Sequence, residues 1–222
     1  MKLQKQVQWV DQQLNPVIKK ILTLLKKQYP KAKCALKYKN PLELLIATIL
    51  SAQCTDERVN IVTEKLFKKY RTAKDYANVN IKELEKGIYS TGFYRNKAKN
   101  IIGTCSIINK KYNGKVPRDF NLLLSLPGVA RKTANCVMGT GFGVPSGVVV
   151  DTHVLRITQR LGLTKNTDPN KIEQDLMRIV PEDEWIMFSH RLIWHGRKIC
   201  DARRPKCEIC MLNKLCPSAF KL

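Results

Sequence analysis

Acidic residues are scarce in this sequence: 18 Asp and Glu stand against 40 Lys and Arg among 222 residues. The net charge of +22 is spread along the chain, with 8 basic and 1 acidic residues in 1–33, 19 and 8 in 34–146, and 13 and 9 in 147–222. A folded protein this basic repels itself unless it binds a polyanion. We therefore expect nucleic acid as its partner, in preference to an anionic membrane surface.

Long apolar runs are missing as well. No stretch of about 18 apolar residues occurs, which excludes a membrane-spanning helix. The first residues, MKLQKQVQWV, lack the apolar stretch and small-residue cleavage site of a secretory signal. No sustained heptad pattern indicates a coiled-coil partner. We expect a monomer without membrane contacts, located inside the cell in the cytoplasm and associated with the nucleoid.

Strand signals are nearly absent. Only GVVV at 147–150 is typical of extended chain, and it is too short to found a sheet. Helical periodicity covers most of the remaining sequence, and three predicted helices begin with Asn-Pro or Asp-Pro, where an N-cap residue precedes proline at the first helical position. The sequence therefore predicts an all-α protein. The predicted helical segments are 15–28, 41–53, 56–70, 81–88, 95–112, 119–125, 129–140, 152–161, 169–180 and 183–195.

Four of the eight cysteines are scattered singly in apolar or helical contexts. This placement predicts small buried hydrophobic residues in a reducing compartment. These cysteines are Cys34, Cys54, Cys105 and Cys136.

The other four cysteines crowd into CDARRPKCEICMLNKLC near the C-terminus, with the spacing C-x6-C-x2-C-x5-C. They are Cys200, Cys207, Cys210 and Cys216. Four thiolates within 17 residues can close a loop around one metal centre, and thiolates select zinc or an iron–sulfur cluster. The spacing leaves these two open. Two disulfides are the alternative, which conflicts with an intracellular protein that faces DNA.

Three cations lie between the first two cysteines of this run: Arg203, Arg204 and Lys206. A loop stiffened by a metal centre loses less entropy when its side chains bind. We therefore expect these cations to contact the phosphate backbone of a nucleic acid.

The stretch SLPGVARKTANC (125–136) places a Pro-Gly turn before a predicted helix. Lys132 lies one turn into that helix and shares a face with Val129 and Cys136, so we expect it to be partly desolvated. A nucleophilic lysine must lose its proton, and desolvation, a neighbouring cation such as Arg131 and the helix N-terminus lower a lysine pKa from about 10.4. These residues alone favour an ordinary lysine extending from a helix edge.

Several motifs together carry a family likeness. They are LPGVARKTA (126–134), VDTH (150–153), LLIATILSAQCTDERVN (44–60), TGFYRNKAKNI (91–101) and the C-terminal cysteine run. In this order the set resembles the endonuclease III family of helix–hairpin–helix DNA glycosylases with a four-iron four-sulfur cluster. The likeness covers nearly the whole chain.

The resemblance implies a two-lobed, all-α helix–hairpin–helix DNA glycosylase fold with a C-terminal iron–sulfur cluster loop. One lobe is a six-helix domain of residues 34–146, and the other joins residues 1–33 to 147–222. Duplex DNA that contains damaged bases or abasic sites lies in the groove between them. The resemblance also implies that the four C-terminal cysteines hold a [4Fe-4S] cluster.

The activity implied by the resemblance is base excision repair by a bifunctional DNA glycosylase and abasic-site lyase that removes oxidised pyrimidines. Lys132 attacks C1′ of the deoxyribose and displaces the damaged base. A Schiff base forms, and β-elimination then cuts the strand. Asp151 is the second catalytic residue, which stabilises positive charge on the sugar or helps to deprotonate Lys132. Asp151 also precedes a predicted helix, so an ordinary N-cap is the plainer interpretation.

DNA contacts are implied at two segments that fill the gap which a flipped-out base leaves in the duplex. Gln53 is expected to hydrogen-bond the orphaned partner base, and Phe93 to wedge between bases, although burial in the core is an equal alternative for Phe93. His153 follows Asp151 and is expected at a DNA phosphate.

The hairpin adds three expected DNA contacts, at Gly128, Ala130 and Arg131. The family usually has glycine where Ala130 stands. Alanine keeps the backbone N–H, so phosphate binding persists if the position needs no positive φ.

Other functions stay open. Adenine-mismatch relatives carry an acidic residue where Thr48 stands, and thymine-mismatch relatives often have Tyr in place of Lys132, so both are disfavoured. A third alternative is a non-catalytic, cluster-bearing DNA-binding or redox-sensing module. Such a module needs neither Lys132 nor Asp151, so the presence of both residues argues against it.

Overall fold

The computed structural model of the chain describes residues 15–221. These residues contain eleven α-helices and no β-strand, which confirms the predicted all-α class. The helices are α1 (Pro16–Gln28), α2 (Pro41–Leu50), α3 (Asp56–Lys69), α4 (Ala73–Ala77), α5 (Ile81–Ile88), α6 (Tyr94–Lys111), α7 (Phe120–Leu124), α8 (Arg131–Cys136), α9 (Thr152–Arg160), α10 (Pro169–Ile179) and α11 (Trp185–Lys198).

Short non-α turns accompany them. 3-10 turns occupy Tyr89–Thr91, Glu182–Glu184, Cys207–Ile209 and Asn213–Leu215, and a π-helical turn, Val137–Gly141, continues α8.

The predicted Asn-Pro and Asp-Pro helix starts are all present. Asn15, Asn40 and Asp168 each accept a hydrogen bond from a backbone N–H of the first turn of α1, α2 and α10. Each cap satisfies an amide that has no partner within its helix.

The structure differs from the prediction at a helix end and at an additional short helix. The segment 41–53 is helical only to Leu50, because the chain turns and Gln53 takes a positive φ of 53°. The helix α4 was not predicted, since five residues are too few for a periodic pattern; a capping box between Thr72 and Asp75 fixes its start.

Buried apolar residues form two clusters. The first core cluster comes from α2–α8 and runs between Leu36 and Met138. The second core cluster comes from α1, α9, α10 and α11, with Leu212 from the C-terminal segment. The chain crosses from one cluster to the other between Ala32 and Leu36, and again between Met138 and Val148.

No helix within residues 15–221 is long and apolar enough to span a membrane. The predicted lack of a secretory signal falls on residues outside those described. So does the part of the predicted second domain that precedes Asn15.

Candidate active site

A cleft of about 780 Å³ lies between the two core clusters. The first cluster contributes α8 and the turn after α2, and the second contributes the start of α9 and the inner face of α11. Both predicted catalytic residues line this cleft. Its lining also includes Lys33, Cys34, Thr48, Gln53, Asn135, Cys136, Thr140, His153, His190 and Arg197.

Lys132 is the second residue of α8 and projects into the cleft. Lys132 is exposed. The sequence had predicted a partly desolvated lysine, because Val129 and Cys136 share its helical face. Val129 is buried in the first core cluster, but the cleft beside Lys132 is open to solvent. Desolvation of this amine therefore requires an occupant of the cleft.

Asp151 is the N-cap of α9. Its Oδ1 accepts hydrogen bonds from the N–H groups of His153 at 2.9 Å and Val154 at 2.8 Å. The structural interpretation as an N-cap therefore holds. Because one oxygen accepts both bonds, the cap fixes the carboxylate at the edge of the cleft that Lys132 also lines.

The hairpin between α7 and α8 has a left-handed backbone at its glycine. Gly128 has φ of 73°, and a Cβ there would lie 2.7 Å from Asn100 Nδ2. Thr104 Oγ1 donates to Pro127 O at 2.7 Å and holds the turn against α6. A side chain at Gly128 would therefore both strain the backbone and collide with α6.

Ala130 is the N-cap of α8, with φ of −86°. The position needs no positive φ, so alanine fits its backbone. Ala130 makes no side-chain cap. The first amides of α8 are thus free of a capping side chain and can donate to an external acceptor such as phosphate.

The turns around Gln53 and Phe93 share an unusual backbone. Both residues have a positive φ, 53° and 48°, which non-glycine residues adopt rarely. Gln53 is exposed and lines the cleft, and Phe93 is 64% exposed just before α6. Burial of Phe93 in the core, the alternative left open by the sequence, is therefore excluded.

His153 is half-buried at the cleft wall. Its Nδ1 lies 3.2 Å from Arg156 Nη2, and burial is the main cause that lowers its pKa. Arg156 also donates to Cys200 O at 2.8 Å. His153 thus connects the cleft to the C-terminal cysteine loop.

All four C-terminal thiols line one cavity of about 20 Å³. None of the eight cysteines forms a disulfide. Arg160 Nη1 donates to Cys200 Sγ at 3.3 Å, and the Leu212 N–H donates to Cys210 Sγ at 3.4 Å. Such donors stabilise thiolates. Within residues 15–221, no three Cys, His, Asp or Glu side chains are arranged to hold a single metal ion.

The loop that carries the predicted phosphate-binding cations is fixed at its base. Asp201 Oδ1 accepts the N–H groups of Arg203 at 2.9 Å and Arg204 at 3.3 Å, and these bonds lower the pKa of Asp201. Arg160 donates to the carbonyls of residues 201 and 202. The side chains of Arg203, Arg204 and Lys206 are left exposed.

Comparison with known proteins identifies the family. Residues 46–182 match the HhH-GPD superfamily of base excision DNA repair proteins. The endonuclease III of Synechocystis sp. is 57% identical over 199 residues, which cover 90% of this chain and 91% of that protein. The chain belongs to the endonuclease III family.

Two solved structures of the endonuclease III family have the same fold. One is a non-covalent endonuclease III–DNA complex, with a TM-score of 0.88 and 50% identity over 92% of this chain and 95% of that one. The other is a trapped endonuclease III–DNA covalent intermediate, with a TM-score of 0.88 and 49% identity over 92% and 96%.

One contact in this endonuclease III family member joins the two sides of the cleft and was not predicted. Arg131 donates through Nε and Nη2 to the two carboxylate oxygens of Glu173, each at 3.0 Å, and Asn135 Nδ2 donates to Glu173 Oε1 at 2.7 Å. The guanidinium also lies over the Phe120 ring. Gly147 is needed beside them, because a Cβ there would lie 2.3 Å from Glu173 Oε1.

A second unpredicted residue, Lys97, supports the turns that carry Gln53 and Phe93. Lys97 is only 4% exposed, and its Nζ donates to Leu50 O and Thr91 O, both at 2.8 Å. Burial lowers its pKa. The sequence signal is a lysine that shares a helix face with Tyr94 and Ile101, and it does not identify these carbonyl partners.

Proposed function

We propose that this chain excises oxidised pyrimidines from duplex DNA and then cuts the abasic strand, with Lys132 as the nucleophile. As a member of the endonuclease III family it is a DNA glycosylase with abasic-site lyase activity that acts on damaged bases. The observation that carries the assignment to Lys132 is that this lysine and Asp151 line the same cleft between the two core clusters.

The damaged nucleotide must leave the base stack to reach this cleft. Gln53 and Phe93 stand on two exposed turns and are proposed to fill the gap in the duplex, Gln53 by hydrogen-bonding the orphaned base. Once the flipped nucleotide fills the cleft, water is excluded around Lys132, which favours its neutral form.

Neutral Lys132 Nζ attacks C1′ of the deoxyribose. The N–C1′ bond forms as the glycosidic bond breaks, and the base leaves with the bonding electron pair. Loss of a proton from the nitrogen and opening of the sugar give a Schiff base. β-elimination then removes a proton from C2′ and breaks the C3′–O bond, and the phosphate on that oxygen leaves with the bonding electron pair. The carboxylate of Asp151 stabilises positive charge on the sugar during the first step.

Duplex DNA is held by the remaining predicted contacts. Gly128, Ala130 and the backbone N–H of Arg131 at the hairpin, with His153 at the cleft wall, are proposed to bind phosphates beside the lesion. The exposed Arg203, Arg204 and Lys206 are proposed to bind phosphates farther along the duplex. The related complex of endonuclease III with DNA supports duplex DNA as the partner.

The four C-terminal cysteines are proposed to hold a [4Fe-4S] cluster. Their thiols fit this group, since they line one cavity and two of the sulfurs accept hydrogen bonds. Within residues 15–221, no three of these thiols are placed around a single metal ion. In a four-iron cluster each cysteine binds a different iron, so its sulfurs lie farther apart than around one zinc. When bound, the cluster stiffens the loop of residues 200–216.

The cluster assignment is tested on the purified protein. We expect a brown sample with iron and acid-labile sulfide in equal amounts. A colourless sample with stoichiometric zinc would contradict the assignment.

The domain division also stays a proposal: residues 34–146, and residues 1–33 with 147–222. Support comes from the two chain crossings between the core clusters. We further propose a monomeric, intracellular enzyme associated with the nucleoid; sedimentation of the free protein tests the monomer.

Borohydride trapping tests the nucleophile. Borohydride reduces the Schiff base with abasic-site duplex to a stable covalent complex, and Lys132→Ala is expected to abolish it. Lys33→Ala is the matched control, because Lys33 lines the same cleft. Trapping that survives Lys132→Ala but is lost in Lys33→Ala would overturn the assignment.

The substrate class is tested with a panel of single-lesion duplexes. Preferred release of oxidised pyrimidines is expected. Thr48 lies 6% exposed in the cleft wall, where adenine-mismatch relatives have a carboxylate. Preferred release of adenine or thymine from mismatches would reject the pyrimidine assignment but leave the role of Lys132 intact.

A further inference from the structure

A buried histidine contacts one of the four C-terminal cysteines, and the proposed mechanism does not use it. His195 lies on α11 and is 1% exposed. Its Nε2 lies 3.5 Å from Cys210 Sγ, and the residue lines the cavity that the four thiols share. Its Nδ1 lies 3.0 Å from the hydroxyl of Tyr29, which follows α1 and is also buried. Tyr29, His195 and Cys210 therefore form a continuous chain of polar groups.

The protons along this chain are fixed once Cys210 binds iron. A cysteine that binds a metal is a thiolate, which has no proton to donate. His195 Nε2 must then carry the proton of the hydrogen bond to Cys210 Sγ. Burial favours a neutral ring, which has a single N–H, so Nδ1 is an acceptor and the Tyr29 hydroxyl donates to it. Tyr29 thus fixes the tautomer in which His195 donates to the sulfur.

Packing holds the two rings in this arrangement. The rings of Tyr29 and His195 meet edge to face, with their centroids 5.9 Å apart and their planes at 62°. Tyr29 belongs to the second core cluster, together with Leu212 of the cysteine loop. Rotation of the His195 ring would leave buried polar groups without partners, which is costly. The direction of Nε2 toward Cys210 is therefore set by packing as well as by hydrogen bonds.

Two donors reach the sulfur of Cys210. The Leu212 N–H lies 3.4 Å from Cys210 Sγ, and His195 Nε2 supplies the second. An iron–sulfur cluster gains an electron, and so negative charge, when it is reduced. Hydrogen bonds to its sulfur ligands stabilise this added charge and raise the reduction potential.

We propose that His195, oriented by Tyr29, is a positioning residue that hydrogen-bonds the Cys210 ligand of the cluster and raises the reduction potential of that cluster. The inference rests on the [4Fe-4S] cluster proposed above for the four C-terminal cysteines. It depends neither on Lys132 nor on the identity of the damaged base.

Voltammetry of the purified, cluster-loaded protein tests the proposal. Tyr29→Phe/His195→Phe keeps both rings and removes the hydroxyl and both ring nitrogens, and its reduction potential is expected to be more negative than that of the wild type. Tyr29→Phe alone keeps the donor but leaves Nδ1 without its partner, so we expect a smaller shift in the same direction. The iron–thiolate stretching bands in the Raman spectrum of the double variant should move to higher frequency, because a sulfur without this hydrogen bond binds iron more strongly.

Two matched substitutions control for the loss of a tyrosine hydroxyl and of an imidazole. Tyr76 is buried in the first core cluster, and its hydroxyl has no hydrogen-bond partner within residues 15–221. His190 also lies on α11, but its Nε2 lies 3.2 Å from Thr140 Oγ1 in the wall of the cleft. Tyr76→Phe and His190→Phe are both expected to keep the reduction potential of the wild type.

The direction of the shift separates a lost hydrogen bond from a looser cavity. Water that enters the cavity would stabilise the added charge and make the potential more positive. A positive shift in the double variant, or an unchanged potential, would overturn the role of His195 and leave the cluster standing. Tyr29→Phe decides the question in the same way if the double variant does not hold iron. Zinc without iron in the wild-type protein would instead reject the cluster, and with it this inference, before any variant is compared.

Discussion

Arg131 and Glu173 join the two sides of the cleft through two parallel hydrogen bonds of 3.0 Å. Arg131 begins α8, directly before Lys132, and Glu173 lies on α10 in the second half of the structure. The carboxylate side chain is only 4% exposed, and the guanidinium side chain is 40% exposed. The pair therefore fixes the helix of Lys132 relative to the side that carries Asp151.

Replacing Arg131 with Ala is expected to destabilise the protein. Glu173 would remain buried with only Asn135 as a donor, and removal of one partner from a buried ion pair costs about 3 kcal/mol, less here because Arg131 is partly exposed. Urea unfolding measures this loss. Removing both partners together should cost less than the sum of the single changes.

The same variant tests the DNA contact predicted for Arg131. With its guanidinium held by Glu173, we expect Arg131→Ala to leave the salt dependence of DNA binding nearly unchanged. Unchanged stability combined with a flatter salt dependence would instead place Arg131 at a phosphate.

Replacing Asp151 with Asn separates its two roles. Asn caps helices as well as Asp does, so we expect stability to change by only a few tenths of a kcal/mol. Loss of the charge is expected to reduce turnover on the order of 100-fold, with the affinity for abasic duplex nearly unchanged. Single-turnover kinetics and equilibrium binding measure the two effects.

Asp168→Asn is the matched control for this change. Asp168 caps α10 with the same geometry, accepting the N–H groups of Asn170 at 2.9 Å and Lys171 at 3.0 Å. The Asp168→Asn variant is expected to keep full activity. Equal losses of turnover and affinity in Asp151→Asn would indicate that Asp151 only supports the fold.

Lys97→Met is expected to lower the stability by about 2 kcal/mol, because it leaves two buried carbonyls without a donor. Leu50 lies three residues before Gln53, and Thr91 lies two residues before Phe93. We therefore expect the turns that carry Gln53 and Phe93 to loosen as well. Thermal unfolding measures the first effect, and hydrogen exchange at these turns measures the second. Lys99→Met, at an exposed position of the same helix, is the control. Equal effects of both changes would rule out a specific role for Lys97.

Local signals in the sequence predicted every described α-helix except α4, and several of the caps. Asn40 and Asp168 precede proline, and Asp151 precedes an amphipathic segment, so each cap follows from neighbouring residues. The fit of alanine at position 130 likewise depends only on the φ of that residue. These features depend on interactions within about one helical turn, which a linear pattern contains.

Contacts between distant residues were not predictable in this way. Arg131 and Glu173 are 42 residues apart, and Lys97 and Leu50 are 47 apart, so no periodicity relates them. The exposure of Phe93 is set by its left-handed turn before α6, which its residue type disfavours. Such features depend on how the two core clusters pack together.

Substitution of one cation in the cysteine loop tests the proposed DNA-binding surface. Arg203, Arg204 and Lys206 are exposed on a loop fixed by Asp201 and Arg160, so they lose little entropy at a phosphate. Arg203→Ala is expected to weaken binding uniformly across DNA sequences. The slope of log affinity against log salt should fall by about one unit.

Lys110→Ala is the control for this charge change. Lys110 is exposed near the end of α6, whose start carries Phe93, and seventeen residues of helix separate the two by about 25 Å. At that distance from the turn of Phe93 a charge is beyond the screening length of about 8 Å at physiological salt, so we expect Lys110→Ala to keep the slope of the wild type. Equal slopes for Arg203→Ala and the wild type, measured by titration at several salt concentrations, would remove this loop from the DNA-binding surface.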